Sequence, residues 1–206
     1  MKTHQVDHGS PEWHALRMGI PTASQFHRIV TPAKLSLSKQ ANGYMCELLA
    51  ARFLGVVNDD GTEFMQRGTL LESKARSWYE FSNDITLDTN VFCTNDEGTI
   101  GCSPDALVGD DGGLEIKCRG ADKHIGWLLG YEQAEIQCQG CMMVTGRQWW
   151  DHLHYHPELP PKLVRIERND EAIERLAEAL DGFVALLDKS ELTLIGMGCQ
   201  RRTVAA

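Results

Sequence analysis

No run in this chain approaches the roughly 18 consecutive apolar residues of a membrane span, and residues 1–13 carry no apolar signal-like core. A soluble, cytoplasmic protein without membrane partners is therefore expected. A disulfide framework is missing too: the seven cysteines are an odd number without paired spacing, which suits reduced thiols. Cys138-Gln139-Gly140-Cys141 is a single CxxC in a stretch of helical character, and no second ligand pair accompanies it. Buried structural thiols are expected there, and Cys46, Cys93 and Cys199 show no spacing for an iron–sulfur cluster. Bulk positive charge is also absent. A net charge of −9 excludes a protein that coats nucleic acid by overall attraction, though not one with a local basic site. Internal repeats and low-complexity segments are lacking as well.

What is present is enough for a core: 206 residues, 42% of them hydrophobic, fit one domain spanning 1–206. Charge is segregated along it. Arg17, Arg28, Lys34, Lys39 and Arg52 share a segment poor in acids, whereas 59–63 and 170–188 hold much of the acidity. Ser10-Pro11-Glu12 reads as a cap and first turn of a short helix ended by Gly19-Ile20-Pro21, and Thr22 as the cap of a second over 23–30. Hydrophobic spacing predicts helices over 39–53, 63–81, 121–129 and 131–144. A last helix over 169–187 carries the stripe Ile173, Leu176, Ala177, Leu180, Phe183, Val184 and Leu187. Strands are predicted over 85–87, 90–93, 100–102, 106–108, 114–118, 148–155 and 162–167. The fold class is α/β (mixed α+β), a central mixed sheet flanked by helices. His152, His154 and His156 alternate at strand spacing and are expected to be exposed.

Ser103-Pro104-Asp105 and, after nine intervening residues, Glu115-Ile116-Lys117 flank a turn-rich Gly109-Asp110-Asp111-Gly112-Gly113 and read as a hairpin. Side chains two apart on a strand share a face, so Glu115 and Lys117 project together while Ile116 packs behind them. Asp105 lies opposite their end. Magnesium takes one or two carboxylates, a carbonyl and waters. Asp105, Glu115 and the carbonyl of Ile116 supply such a set, with Glu72 from the 63–81 helix holding a metal-bound water or a second ion. Lys117, its ammonium disfavoured by neighbouring cations, is placed to orient or deprotonate an attacking water. Gln137 offers an amide to that water or to a phosphate. The chemistry these residues suit is phosphodiester hydrolysis.

In order, Glu72, Pro104-Asp105, Glu115-Ile116-Lys117 and Gln137 resemble the PD-(D/E)xK nucleases, and more narrowly the phage lambda exonuclease family of viral alkaline exonucleases and YqaJ-type viral recombinases. The stretch from Trp13-His14-Ala15-Leu16-Arg17 through Thr22-Ala23-Ser24 resembles that family's N-terminal motif, and Met142-Met143-Val144-Thr145 its pattern beyond the glutamine helix. The resemblance implies a restriction-endonuclease-like core. It implies a processive, magnesium-dependent exonuclease, manganese substituting, that degrades one strand of linear duplex DNA from its 5' end and leaves 3' single strands. It further implies a ring-shaped homotrimer and a single-strand annealing recombinase as partner. By the same resemblance Arg17, Thr22 and Ser24 bind the 5' phosphate, and Arg28, Lys34 and Lys39, within an N-terminal segment 1–57, bind DNA. A short helix opened by Thr22 gives that phosphate site an independent rationale. Two other readings stand beside this one: an endonuclease of the same core, and a non-catalytic DNA-end clamp for an annealing protein.

Overall fold

The computed structural model describes residues 1–31, 35–55, 63–130 and 135–201, and only the backbone of 63–70 and 135. The first strand, β1 (Lys2–Gln5), was not expected from the sequence. It gains its place by pairing antiparallel with β2 (Val91–Thr94), which pairs in turn with β3 (Gly101–Cys102). Helix α1 (Pro11–Arg17) starts as its letters predict: the Ser10 side chain accepts the Trp13 N–H, and proline opens the first turn. The expected second helix is instead a three-residue 3-10 turn, Ala23–Gln25, running into the single turn α2 (Phe26–Ile29). Next comes α3 (Ala41–Leu54), which buries Tyr44, Leu48 and Ala51 and is closed by left-handed Gly55.

After α4 (Glu63–Asn83) the chain reaches β2 without the strand expected at 85–87. Asp84 and Asn90 both turn at positive φ, and between them only Asp88 bridges to Leu107. The sheet is split. Pro104, which has no N–H to give to a ladder, stands between β3 and β4. Beyond it lies a four-stranded sheet in the order β4 (Ala106–Val108), β5 (Gly112–Lys117), β6 (Trp149–His156) and β7 (Leu159–Glu167). Its central pair β5–β6 is parallel and the outer pairs are antiparallel, so it is mixed as expected. Pro160 and Pro161 are tolerated because β7 is an edge strand.

Two cores result. The larger packs α2, α3, α6 (Glu135–Thr145) and α7 (Asp170–Gly196) around Phe26, Tyr44, Trp150, Leu176 and Leu180. Here α7 is capped by Asn169, whose side chain accepts the Ala172 N–H at 3.0 Å, and its stripe runs on past Leu187 to Glu191. The smaller lays α4 on the other face of the sheet through Ala75, Tyr79, Leu114, Ile116 and Leu153. A polar tie reinforces it: the Tyr79 hydroxyl donates to Asp151 Oδ2 at 2.6 Å, and Arg165 clasps both oxygens of Asp151 at 2.8 Å. Cys93, Cys102, Cys138 and Cys141 are buried free thiols, as expected, while Cys46 and Cys199 are exposed.

The three histidines of β6 are not exposed. His152 and His154 each keep 1% of their surface and His156 6%, because α5 (Ala121–Leu128) covers that face. Trp127 stacks on the His154 ring at 3.6 Å, and His124 bonds the Pro160 carbonyl at 2.8 Å. Their alternation marks a strand covered on both sides.

Gly112 and Gly113, expected in the turn, are strand residues. Their bare backbone lets Trp149 and Trp150 lie against β5, since a Cβ on Gly113 would sit 2.4 Å from the Trp150 ring. Gly113→Val should therefore overpack this contact and cost about 1–3 kcal/mol, read as a lowered Tm. An unchanged Tm would show that the tryptophan has room to move.

Candidate functional site

The last paired residues of β4 and β5 are Ala106 and Leu114, so Glu115, Ile116 and Lys117 extend past the end of β4. Asp105 fills the gap. Its Oδ2 accepts the Ile116 N–H at 2.5 Å, and its own N–H donates to the Leu114 carbonyl at 3.2 Å. Because the N–H and C=O of one strand residue point to the same edge, the Ile116 carbonyl also faces this gap. Strand alternation puts Glu115 and Lys117 on one face, and Lys117 Nζ donates to Glu115 Oε1 at 2.5 Å. Glu115 Oε2 is buried with no hydrogen-bond partner among the described residues.

A buried carboxylate oxygen left unpartnered is costly, so this cradle fits a cation. Electrostatics agree. Burial first, then Glu115 and Glu72, push the Asp105 carboxyl well above the usual carboxylate range. Burial also raises Glu72, which Arg76 partly offsets and Glu115 reinforces. Among the described residues no three His, Cys, Asp or Glu side chains stand together closely enough to hold an ion alone. The donor set that fits is two carboxylates, a carbonyl and waters, which suits magnesium. Lys117 is governed here by its carboxylate neighbours. Burial works against its ammonium, but Glu115 and then Asp105 outweigh it and raise the pKa, so without a metal the lysine stays charged.

Helix α6 packs on β3, on β6 and on the 23–25 turn, and carries Gln137 half-buried. Its neighbour Gln139 has a structural task instead, donating to the Glu167 carbonyl at 2.8 Å and accepting the Asn169 N–H at 3.0 Å.

The N-terminal motif is joined to the carboxylates through Ser103. Trp13 Nε1 donates to Ser103 Oγ at 2.8 Å, two residues before Asp105, and Thr22 bridges to Gly101 on the same stretch. The Arg17 guanidinium lies 3.9 Å over the Trp13 ring. Thr22 and Ser24 hydroxyls meet at 3.4 Å, and the Thr22 N–H donates to the Tyr44 hydroxyl at 3.4 Å. The helix-terminus rationale for this site weakens, since a three-residue turn sums few peptide dipoles. Arginine and hydroxyls carry the anion chemistry there. Trp13 and Tyr44 were missed as site residues; a buried indole needing a partner was the available signal for the first.

The basic segment is more neutral than its letters suggest. Arg28 forms a two-pronged pair with Glu47 at 2.6 and 2.7 Å, and Arg52 pairs with Asp188 and Glu191. Lys39 is exposed, and Lys34 lies outside the described residues. Arg52 also donates to the Gly19 carbonyl at 2.8 Å, which ties the end of α7 to the loop after α1. An open cavity beside this tie, lined by Met18, Ile20, Arg52 and Glu191, contains none of the site carboxylates.

Residues 12–148 match the YqaJ-like viral recombinase domain. The fold superposes on an alkaline exonuclease, LHK-Exo, from Laribacter hongkongensis with a TM-score of 0.83 and 32% identity, over 92% of this chain and 98% of that one. The same enzyme in complex with dAMP gives equal values. A phage related exonuclease from Haemophilus somnus 129PT shares the fold at 17% identity, with a TM-score of 0.64, over 88% of this chain and 99% of that one. No curated protein sequence matches significantly. No helix of the described residues is long and apolar enough to cross a membrane.

Two outcomes follow from the charges of this face. Asp105 has a raised folded pKa, so its stabilising contribution belongs to acid and is lost as pH rises through that value, above which its charge is a burden. In that alkaline range Asp105→Asn, which keeps the acceptor, should raise the Tm of the metal-free protein, about 2–4 °C for each kcal/mol relieved, and a lowered Tm there would refute the repulsion. His152 and His154 go the other way. Burial, then Lys117, hold His152 down to about 3, and burial, then His152, hold His154 down to about 2. Their contribution is complete above the ordinary value of 6.5 and is lost as pH falls toward those folded values, at about 1.4 kcal/mol per pH unit each. Denaturant melts between pH 7 and 4.5 should show this loss, and His154→Gln should make it shallower.

Proposed function

The chain belongs to the YqaJ-like viral recombinase domain family, and on that footing we propose that it is a magnesium-dependent exonuclease that digests one strand of linear duplex DNA processively, 5' to 3', and leaves 3' single strands for annealing-type recombination. The observation that carries this reading is the unpartnered Glu115 Oε2 beside Asp105, reached through Ser103 from the Arg17 loop. The dAMP complex of the similar alkaline exonuclease supports it, since a mononucleotide is the product such an enzyme releases.

Asp105, Glu115 and the carbonyl of Ile116 would hold the magnesium, with Glu72 beside them on α4. When bound, the ion supplies Lewis-acid polarisation of a phosphate oxygen and charge stabilisation for the leaving oxygen. Lys117 has its own part. Its ammonium now rests on Glu115; were that carboxylate turned to a cation, Lys117 would lose the contact that favours its proton, and, that proton passed to solvent, its amine would orient or deprotonate an attacking water. Gln137 would add a hydrogen bond from its amide to that water or to the phosphate. Arg17, Thr22 and Ser24 would hold the 5' phosphate, so the scissile bond is chosen by its distance from the end. Arg28, Lys34 and Lys39 would contact the duplex, Arg28 by exchanging Glu47 for a phosphate. The reading extends to manganese as a substitute ion, to a homotrimer around the duplex and to an annealing recombinase as partner, on the strength of the family resemblance.

Linear duplexes with 5'-phosphate or 5'-hydroxyl ends, incubated with magnesium beside covalently closed circles, test this. Mononucleotides should appear from phosphorylated ends, Arg17→Ala should lose that preference, and Lys117→Ala should lose at least 100-fold in rate, the low end for a general base, while DNA affinity changes little. Wild-type rates from Lys117→Ala would sink the mechanism, and cleavage of closed circles would turn the reading to an endonuclease.

A further inference from the structure

Trp13 is flanked by three basic side chains, one of them an arginine. Arg17 lies over its ring at 3.9 Å, the His8 ring is 4.2 Å away, and His14 meets it edge-on at 5.0 Å. His8 is in turn within electrostatic reach of Arg76 on α4: burial first, then Arg17, Arg76 and His14, lower its pKa. An anion among these groups would reverse that shift and favour the imidazolium, so the arrangement suits a bound anion.

Arg76 has donors to spare. Its Nη2 stands 3.6 Å from Glu72 Oε2, too far for a hydrogen bond, and its Nε is buried with no partner among the described residues. It therefore stands between the carboxylates on one side and the basic side chains around Trp13 on the other. A phosphate held at the Arg17 loop can approach this junction.

We propose that Arg76 and His8, together with Arg17, form one phosphate subsite beside Trp13, between the α1 loop and Glu72. This rests on the exonuclease reading and adds to it two residues that the sequence motifs do not contain. A guanidinium there serves two ends. It clamps a planar pair of phosphate oxygens, and it offsets the carboxylates when DNA carries further negative charge into the site. The anion is either a terminal 5' phosphate or an internal diester, and the two bind with different end dependence.

Equilibrium binding of short duplexes with 5'-phosphate and 5'-hydroxyl ends, in chelator and over a range of salt, tests the subsite in the wild type, Arg76→Gln, Arg76→Lys and His8→Gln. Arg76→Gln should weaken binding about tenfold and lower the salt slope by about one phosphate contact. His8→Gln should weaken it a few-fold, and Arg76→Lys should recover part of the loss. A loss confined to phosphorylated ends assigns the terminal phosphate, and an equal loss on both ends assigns the internal diester. Wild-type affinity and slope in Arg76→Gln and His8→Gln would overturn the subsite, as would a loss fully explained by a fallen Tm. Either result leaves the exonuclease reading standing if the wild type still degrades linear DNA; failure of the wild type to degrade it would overturn that reading instead.

Discussion

Carboxylates held out of water in the gap where β5 outruns β4 are the constraint to which the other parts of the molecule answer. Asp105, Glu115 and Glu72 raise one another's cost, and among the described residues the Ile116 N–H, Lys117 and Arg76 offset it. Such an arrangement opens unless its backbone is held from behind. Both cores meet that need. Ile116 and Leu114 are clamped by Ala75 and Tyr79 of α4, while the opposite face of the sheet is filled by Trp150 and the helices above it. Tyr79, Asp151 and Arg165 fasten α4 itself, and with it Glu72.

Chemistry and anchoring meet on a short piece of chain. Residues 101–105 take a bridge from Thr22, a hydrogen bond from Trp13, and then supply Asp105. Anything grasped by the α1 loop is thereby set at a fixed offset from the carboxylates, without a large interface between separate parts. An enzyme that acts at ends needs that ruler, since the same acids without it serve any phosphodiester.

Much of this was legible in letters because it is local. The Ser10 cap, the α7 stripe and the shared face of Glu115 and Lys117 follow from spacing alone. What was not legible depended on partners far along the chain. His152 and His154 read as exposed because polar alternation usually means solvent, yet α5 returns to cover them. Gly112 and Gly113 read as turn because nothing nearby reveals the tryptophans they make room for. Arg28 and Arg52 looked like parts of a basic face, and only the fold shows the acids that meet them.

Gly19 turns at φ 72°, and a Cβ on it would lie 2.3 Å from Arg52 Cγ. The aliphatic stem of that arginine rests on bare backbone while its head reaches Glu191, itself also held by Arg201. Glycine, arginine and glutamate thus work as one unit: shortening Arg52 would clear the space beside Gly19 but leave its positive φ to favour glycine, and would lose the link to the last helix.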